Sequence, residues 1–538
     1  MVLGTSSHAG KTTVAAALCR CLARKGHRVA PFKAQNMSNN SWVTPEGAEI
    51  GRAQAMQARA CGIEPHADMN PLLLKPSGGN VVQVVALGKV LGSFSGREYY
   101  RRKEEMRSLV HAAYDRLAQR FDVVVLEGAG SPAEINLRAE DLVNGSMAEH
   151  AGARCILVAD IERGGVFASI LGTISLLEER HRKLLAGVII NKFRGDASLL
   201  DSGIREIEAL TGVPVLGVLP WLENVDLEEE DSLGLRGSET TGPALIDIAV
   251  VRFPHISNFT DFQPFLDRKG VGLRYFDNPK DIGNPDFLIL PGSKNVRLDA
   301  DFLRQTNLDR VLLAAEARRI PILGICGGFQ ILGRVIRDPH GMEGTGLDGM
   351  GLEKNGVKQN DSAETKGLGL LPIETSLERE KELCRVEAEN LALPFLAEGD
   401  FCDGYEIHMG RSAPIEADDA DRPLLRMVRK NGVPQMESGG FISVSGLVFG
   451  CYLHGMFDRR EVREALYRWL CARKGLDWRE DGTHPDGMAN PARNQVRNRE
   501  RDGTDLAASD PIDRIADWLE TRLDAVSLLP PPTPLTMP

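Results

Sequence analysis

The sequence predicts an α/β protein of two domains, each a mainly parallel sheet flanked by helices, and three observations carry that expectation. At 538 residues the chain exceeds what one hydrophobic core serves. Twice a short apolar run enters a glycine-bearing turn and then a helical pattern, at residues 4–13 and again at residues 324–330. Runs such as 121–126, 155–159 and 185–190 are continuous and rich in Val and Ile, as strands buried on both faces of a parallel sheet are.

Bulk properties exclude several classes. The net charge of −11 gives no basic footprint for nucleic acid or an anionic membrane. Nine cysteines without a C-x-x-C pair argue against a zinc site or a disulfide framework and fit a reducing compartment. No apolar run approaches membrane length, and residue 4 already belongs to a glycine motif, which leaves no room for a signal peptide. A cytoplasmic protein is expected. The domains are expected at residues 1–222 and 246–472, separated by an acidic linker at 223–245. A carboxyl-terminal extension at 473–538 carries one amphipathic helix and a Pro-rich, disordered tail.

Taken in order, Gly4-Thr5-Ser6-Ser7-His8-Ala9-Gly10-Lys11-Thr12-Thr13 follows a three-residue strand and opens a helix. The pattern is that of a P-loop, in which backbone N–H groups and the helix N-terminus surround phosphates. Gly4, Thr5, Gly10, Lys11, Thr12 and Thr13 are its nucleotide-binding candidates, with the Thr12 hydroxyl a ligand for Mg²⁺. Five residues separate Gly4 from Gly10, one more than the strict spacing. The next strand ends in Lys33-Ala34-Gln35-Asn36-Met37-Ser38-Asn39-Asn40, where ligands of open α/β sheets collect. Lys33, Gln35 and Asn36 are candidates there, and a solvated loop is the competing reading. Lys75 follows a further apolar run. The strand at 121–126 ends in Glu127 beside two glycines, where a carboxylate can meet the metal of a bound nucleotide. Asp160 and Arg163 close the strand at 155–159, and Asn191 closes the one at 185–190. Asn191 is either an amide facing a nucleobase or a plain strand cap.

In the second domain, Pro291-Gly292-Ser293-Lys294 turns at a strand end and can offer a backbone N–H to an oxyanion. Gly324-Ile325-Cys326-Gly327-Gly328 is the thiol form of a nucleophile elbow, so Cys326 is the candidate nucleophile. A thiol needs a base. His454, closing a strand beside Gly455, is favoured over His408.

With these pieces in order, the chain resembles the cobyric acid synthase family from residue 1 to about residue 470. The likeness runs through the P-loop, KAQNM, GAEIGRAQAMQA, DMNPLLLKP, EGAGSPAEINLR, ADIERGGVFA, NKFRGD, PGSKNVR, GICGGFQILG, GYEIHMG and YLHGMFD. The resemblance implies a dethiobiotin synthetase-type P-loop ATPase followed by a class I glutamine amidotransferase domain. It implies ATP and Mg²⁺ as cofactors, and glutamine and a corrinoid as substrates. The expected reaction is amidation of the b, d, e and g carboxylates of adenosylcobyrinic acid a,c-diamide through acyl phosphates. Lys33 would then bridge substrate and phosphoryl group, and Gly292 and Gly327 would form the oxyanion hole. Gln35, Asn36, Lys75, Asp160 and Arg163 are expected to serve the substrate side. The related a,c-diamide synthase is the nearest alternative, and a partitioning-type ATPase the alternative of another class. Two departures stand out. Met456 occupies the place where many class I amidotransferases carry the glutamate that orients the histidine, which implies a Cys-His dyad or a third partner from elsewhere, with Glu406 and Asp458 as candidates. Ala34 replaces the proline common in the family's KPQNM.

Overall fold

The computed structural model describes residues 1–76, 81–222, 244–266, 268–343, 364–415, 422–479 and 510–529. All but the last two residues of the expected linker, and the Pro-rich tail from residue 530 on, lie outside these described residues.

The first domain is built on parallel strands in the order Val2–Gly4, Cys155–Asp160, Leu185–Phe193 and Val215–Pro220. Beside Val2–Gly4 the parallel pair Val29–Phe32 and Val123–Leu126 continues the layer through a bridge between Val2 and Glu127. Ile156, Leu157, Val158, Ile189 and Ile190 are all buried, as strands covered on both faces require. A smaller sheet of Gln35–Met37, Leu72–Pro76, Val81–Ala86 and Lys89–Ser95 stands at the carboxyl end of this layer. The KAQNM segment is therefore not a solvated loop: Lys33, Asn36, Ser38 and Asn40 are buried and Gln35 half-buried.

The second domain holds a twelve-stranded sheet among the described residues. Five strands are parallel, in the order Val271–Phe276, Ile246–Val251, Phe287–Leu290, Ile322–Ile325 and Val448–Cys451. Beyond them the sheet turns antiparallel through Val433–Ile442, Pro423–Lys430, Ile373–Asn390 and Phe401–Pro414. Hairpins explain the change of direction: antiparallel neighbours need only short turns, such as the one between Lys430 and Val433.

The carboxyl-terminal helix Pro511–Glu520 returns to the first domain. Asp510 caps it by accepting the Ile512 N–H at 2.9 Å, and Pro511 stands at its first turn, where a missing N–H costs nothing. Its buried face, Ile512, Ile515, Ala516 and Leu519, joins the core of the P-loop helix Lys11–Arg24. Ion pairs flank that seam, Arg20 to Asp513 at 2.6 Å and Lys25 to Asp524 at 2.9 Å. The amphipathic pattern marked this helix, but nothing in the sequence named its partner.

Candidate active site

Both candidate sites sit where strands run out into glycine turns. Gly10 takes a left-handed φ of 99° at the entrance of Lys11–Arg24, and a Cβ there would collide with the Asn191 amide. The Asn191 Nδ2–H donates to the Ala9 carbonyl at 3.0 Å, so Asn191 braces the loop. Lys11 Nζ donates to the carbonyls of Ser6 and Gly130, each at 2.9 Å, and spans the loop mouth.

Glu127 is the hub of this site. The Thr12 hydroxyl donates to Oε1 at 2.7 Å, Lys33 Nζ donates to the same oxygen at 3.1 Å, and Gln57 Nε2 donates to Oε2 at 2.6 Å. Burial opposes its charge, but Lys33 and the three hydrogen bonds outweigh burial and hold the carboxyl below its ordinary range. A hydroxyl and a carboxylate converging in this way are the oxygen donors a Mg²⁺ ion takes. A second acidic group, Glu382, Cys384 and Glu406, already has a cation, since Lys430 Nζ lies 3.5 Å from both carboxylates.

A cavity of about 730 Å³ opens beside the P-loop, lined among others by Lys11, Thr12, Lys33, Gln35, Asn36 and Asn191. Gly4 and Thr5, at the start of the loop, stand outside its lining, and so do three residues expected on the substrate side. Lys75 is buried against Glu49 at 2.6 Å and Ser41 at 2.7 Å, Asp160 pairs with Lys192 at 2.9 Å, and Arg163 is exposed on the turn before the helix Val166–Leu176.

At the thiol site, Cys326 has φ 52° and ψ −108°, backbone that L-residues avoid and that costs of order 1–3 kcal/mol. The flanking glycines allow it. A Cβ on Gly324 would lie 2.7 Å from the Phe329 nitrogen, and one on Gly328 would collide with the Leu290 carbonyl. Gly327 packs against Ser293, where a Cβ would lie 2.7 Å from the Ser293 nitrogen, and a Cβ on Gly292 would lie 3.2 Å from His454 Cε1. The two glycines expected to serve an oxyanion thus border the elbow and the histidine.

His454 is buried, with Nδ1 2.7 Å from Asp261 Oδ2. Burial works against its charge, yet the carboxylate of Asp261 and the neighbouring Cys326 overcome it and raise its pKa to about 10. A histidine beside the cysteine is the group a thiol nucleophile exchanges its proton with. Asp261 also accepts the Gly455 N–H at 3.1 Å, which fixes both ring and backbone. His408 is placed differently: its Nδ1 meets the Gly410 carbonyl at 2.8 Å and its ring stacks on Tyr452. Of the two acids weighed as third partner, Glu406 lies 3.8 Å from His408 Nε2 and Asp458 pairs with Arg52 at 2.8 Å. Asp261 holds the place instead. It lies in Ser257-Asn258-Phe259-Thr260-Asp261, after the strand Ile246–Val251, and a polar run past a parallel strand's carboxyl end was the one signal that could have found it.

The two domains meet across a polar contact. Lys381 Nζ pairs with Glu49 at 2.5 Å, Lys294 Nζ donates to Gln83 at 2.8 Å, and the Ser41 N–H donates to Asn258 at 2.9 Å. Burial, with repulsion from Lys381 and Lys75, lowers Lys294 to about 7, and burial brings Lys381 to about 8.

Comparison with known proteins agrees with this division. Residues 1–234 match the CobQ/CobB/MinD/ParA nucleotide binding domain, and residues 247–462 match the CobB/CobQ-like glutamine amidotransferase domain. The chain is 46% identical to the cobyric acid synthase of Yersinia enterocolitica, over 88% of this chain and 90% of that one. It is 44% identical to that of Syntrophobacter fumaroxidans over 88% and 90% of the two chains. It is likewise 44% identical to that of Desulforudis audaxviator, over 97% of each. No helix among the described residues is long and apolar enough to cross a membrane. With a nucleotide-binding half, a thiol half and this similarity along nearly its whole length, the chain belongs to the cobyric acid synthase family, ATP-dependent ligases that hydrolyse glutamine to form amides.

Proposed function

We propose that the chain amidates the b, d, e and g carboxylates of adenosylcobyrinic acid a,c-diamide to give adenosylcobyric acid, with nitrogen released from glutamine at Cys326. The observation that carries this reading is one chain holding a Cys326–His454–Asp261 site and a P-loop site joined through a buried polar contact.

A carboxylate cannot be amidated directly, because hydroxide is a poor leaving group. Phosphorylation to an acyl phosphate supplies a good one. Lys11 and the loop N–H groups neutralise and orient phosphate oxygens, and Lys33 stands where it can hold the acceptor carboxylate against the phosphoryl group. Thr12 and Glu127 would hold Mg²⁺, which supplies further charge neutralisation when bound. Gln35 and Asn36, within the same cavity, offer amides to the corrinoid side chain. Lys75, Asp160 and Arg163 are less directly placed, and any part they take is through the shape of the domain contact or of the loops around the cavity.

In the second half, Cys326 attacks the glutamine amide carbon and the N–H groups of Gly292 and Gly327 receive the oxyanion. His454 delivers the proton that lets ammonia leave, and then removes one from the water that cleaves the thioester to glutamate. Ammonia must arrive unprotonated. At the contact between the domains Glu49 stands against two ammoniums, Lys75 and Lys381, a charge balance that disfavours ammonium there and favours passage of neutral ammonia.

Mass spectrometry of the corrinoid after turnover with ATP and amide-labelled glutamine tests the reading. The expected result is label at each of the b, d, e and g positions of the a,c-diamide. Amidation of cobyrinic acid, with the a,c-diamide left untouched, would overturn it in favour of an a,c-diamide synthase.

A further inference from the structure

Within the sequence run at residues 47–58, Arg52 has a use that the chemistry above does not call upon. Its helix, Arg52–Ala60, belongs to the nucleotide-binding domain, yet its first residue is buried in the other domain. Arg52 Nη1 donates to the Tyr405 hydroxyl at 2.9 Å, Nη2 donates to Asp458 at 2.8 Å, and Nη1 lies 3.8 Å from Asp261 Oδ1. The guanidinium also sits over the Trp42 ring, 5.2 Å from its centroid.

We propose that Arg52 is a positioning residue for the thiol site, supplied by the nucleotide-binding domain, so that this site is complete only when the two domains are docked. The proposal rests on the reading of Cys326 and His454 as the glutaminase pair.

Two contacts orient His454, and Arg52 touches both partners. Asp261 Oδ2 holds Nδ1 while Oδ1 faces Arg52, and the Tyr405 ring lies nearly parallel to the imidazole with centroids 5.5 Å apart while its hydroxyl accepts from Arg52. Asp261 and Asp458 are two carboxylates on this side of the ring, and Arg52 is the cation that faces both. An arginine suits this place because its planar fork serves several acceptors at fixed angles, which a lysine cannot do. Five residues along the same helix, about 7.5 Å along its axis, Gln57 donates to Glu127 at 2.6 Å. One short helix therefore touches the carboxylate hub of the P-loop site at one point and the histidine's supports at another.

The test uses the full-length protein with Arg52→Gln and Arg52→Lys, measuring glutamate release, ammonia-dependent amidation and thermal melting, with Cys326→Ala as control. Arg52→Gln is expected to lower kcat for glutamate release roughly 10- to 100-fold, the scale of losing a hydrogen bond to a charged group that holds the histidine's partners. KM for glutamine should stay within about twofold and ammonia-dependent amidation within about threefold, because neither depends on the histidine. Arg52→Lys should recover part of kcat, and it carries the test if the Gln variant does not fold. Unchanged glutamate release would overturn the proposal. So would an equal fall with both nitrogen sources in a protein that melts like the parent, since Arg52 would then act on the synthase site. Glutamate release surviving in Cys326→Ala would instead overturn the glutaminase reading beneath it.

Discussion

Replacing Asp261 with Asn isolates the contribution of one carboxylate to the thiol site. The side chain is almost fully buried, at 1% exposure, and its two oxygens are spoken for: Oδ2 meets His454 Nδ1 at 2.7 Å and Oδ1 accepts the Gly455 N–H at 3.1 Å. Asparagine keeps the shape but can offer only one acceptor, so its amide N–H₂ must face either the imidazole or the Gly455 N–H. A hydrogen bond to a charged group contributes about 1.5–3 kcal/mol. At about 1.4 kcal/mol per factor of ten, that is roughly a 10- to 150-fold loss in kcat for glutamine. The sign of the pH effect follows from the same contact. The carboxylate, with Cys326, raises the pKa of His454 to about 10, so its removal lowers that pKa and the imidazolium is lost at lower pH. The alkaline limb of the glutamate-release profile should move to lower pH, while ammonia-dependent amidation keeps its profile. Glutamate release that falls less than about threefold, with the alkaline limb unmoved, would refute the reasoning, because an orienting charge worth that little is not orienting anything.

Other outcomes follow from the same geometry. Cys326→Ala should abolish glutamine-dependent amidation and retain the ammonia-dependent reaction, and equal loss of both in a folded protein would contradict the division of labour. Lys11→Ala should remove amidation with either nitrogen source, checked alongside direct nucleotide-binding titration. Leu519→Ala should destabilise the first domain by about 2–5 kcal/mol, as Leu-to-Ala changes in cores do, because the side chain is fully buried against the P-loop helix. Urea unfolding followed by Trp fluorescence measures it, since Trp518 lies one residue away and donates its indole N–H to the Pro220 carbonyl.

The sequence was most legible where a residue type is forced by backbone geometry. The turn at Gly324-Ile325-Cys326-Gly327-Gly328 could be read because a cysteine at positive φ needs neighbours without side chains, and the structure gives those glycines close contacts with Phe329, Ser293 and Leu290. The buried parallel strands were legible for a similar reason, since only continuous apolar runs survive with both faces covered. Partnerships across long separations were not. Asp261 lies 193 residues from His454, and no local period links an aspartate in a short polar run to a histidine beside another strand. The same holds for Pro511–Glu520, whose apolar face announces that it packs somewhere but carries no address.

The contact between the domains bears on why they share one chain. A buried ion pair such as Lys381 with Glu49 is weak evidence for stability, because taking each charge out of water costs about as much as the pairing returns. An apolar surface would hold two domains together at least as well. What the polar contact adds is a fixed register: Lys381 reaches Glu49, Arg385 reaches Glu64, and Arg52 reaches Asp458, each from one domain into the other. A sliding error at this surface would strand several charges at once, whereas an apolar surface would tolerate it. That demand for register is what the proposed bracing of His454 by Arg52 of the opposite domain requires, since a shifted contact would carry the guanidinium away from Asp261 and Tyr405.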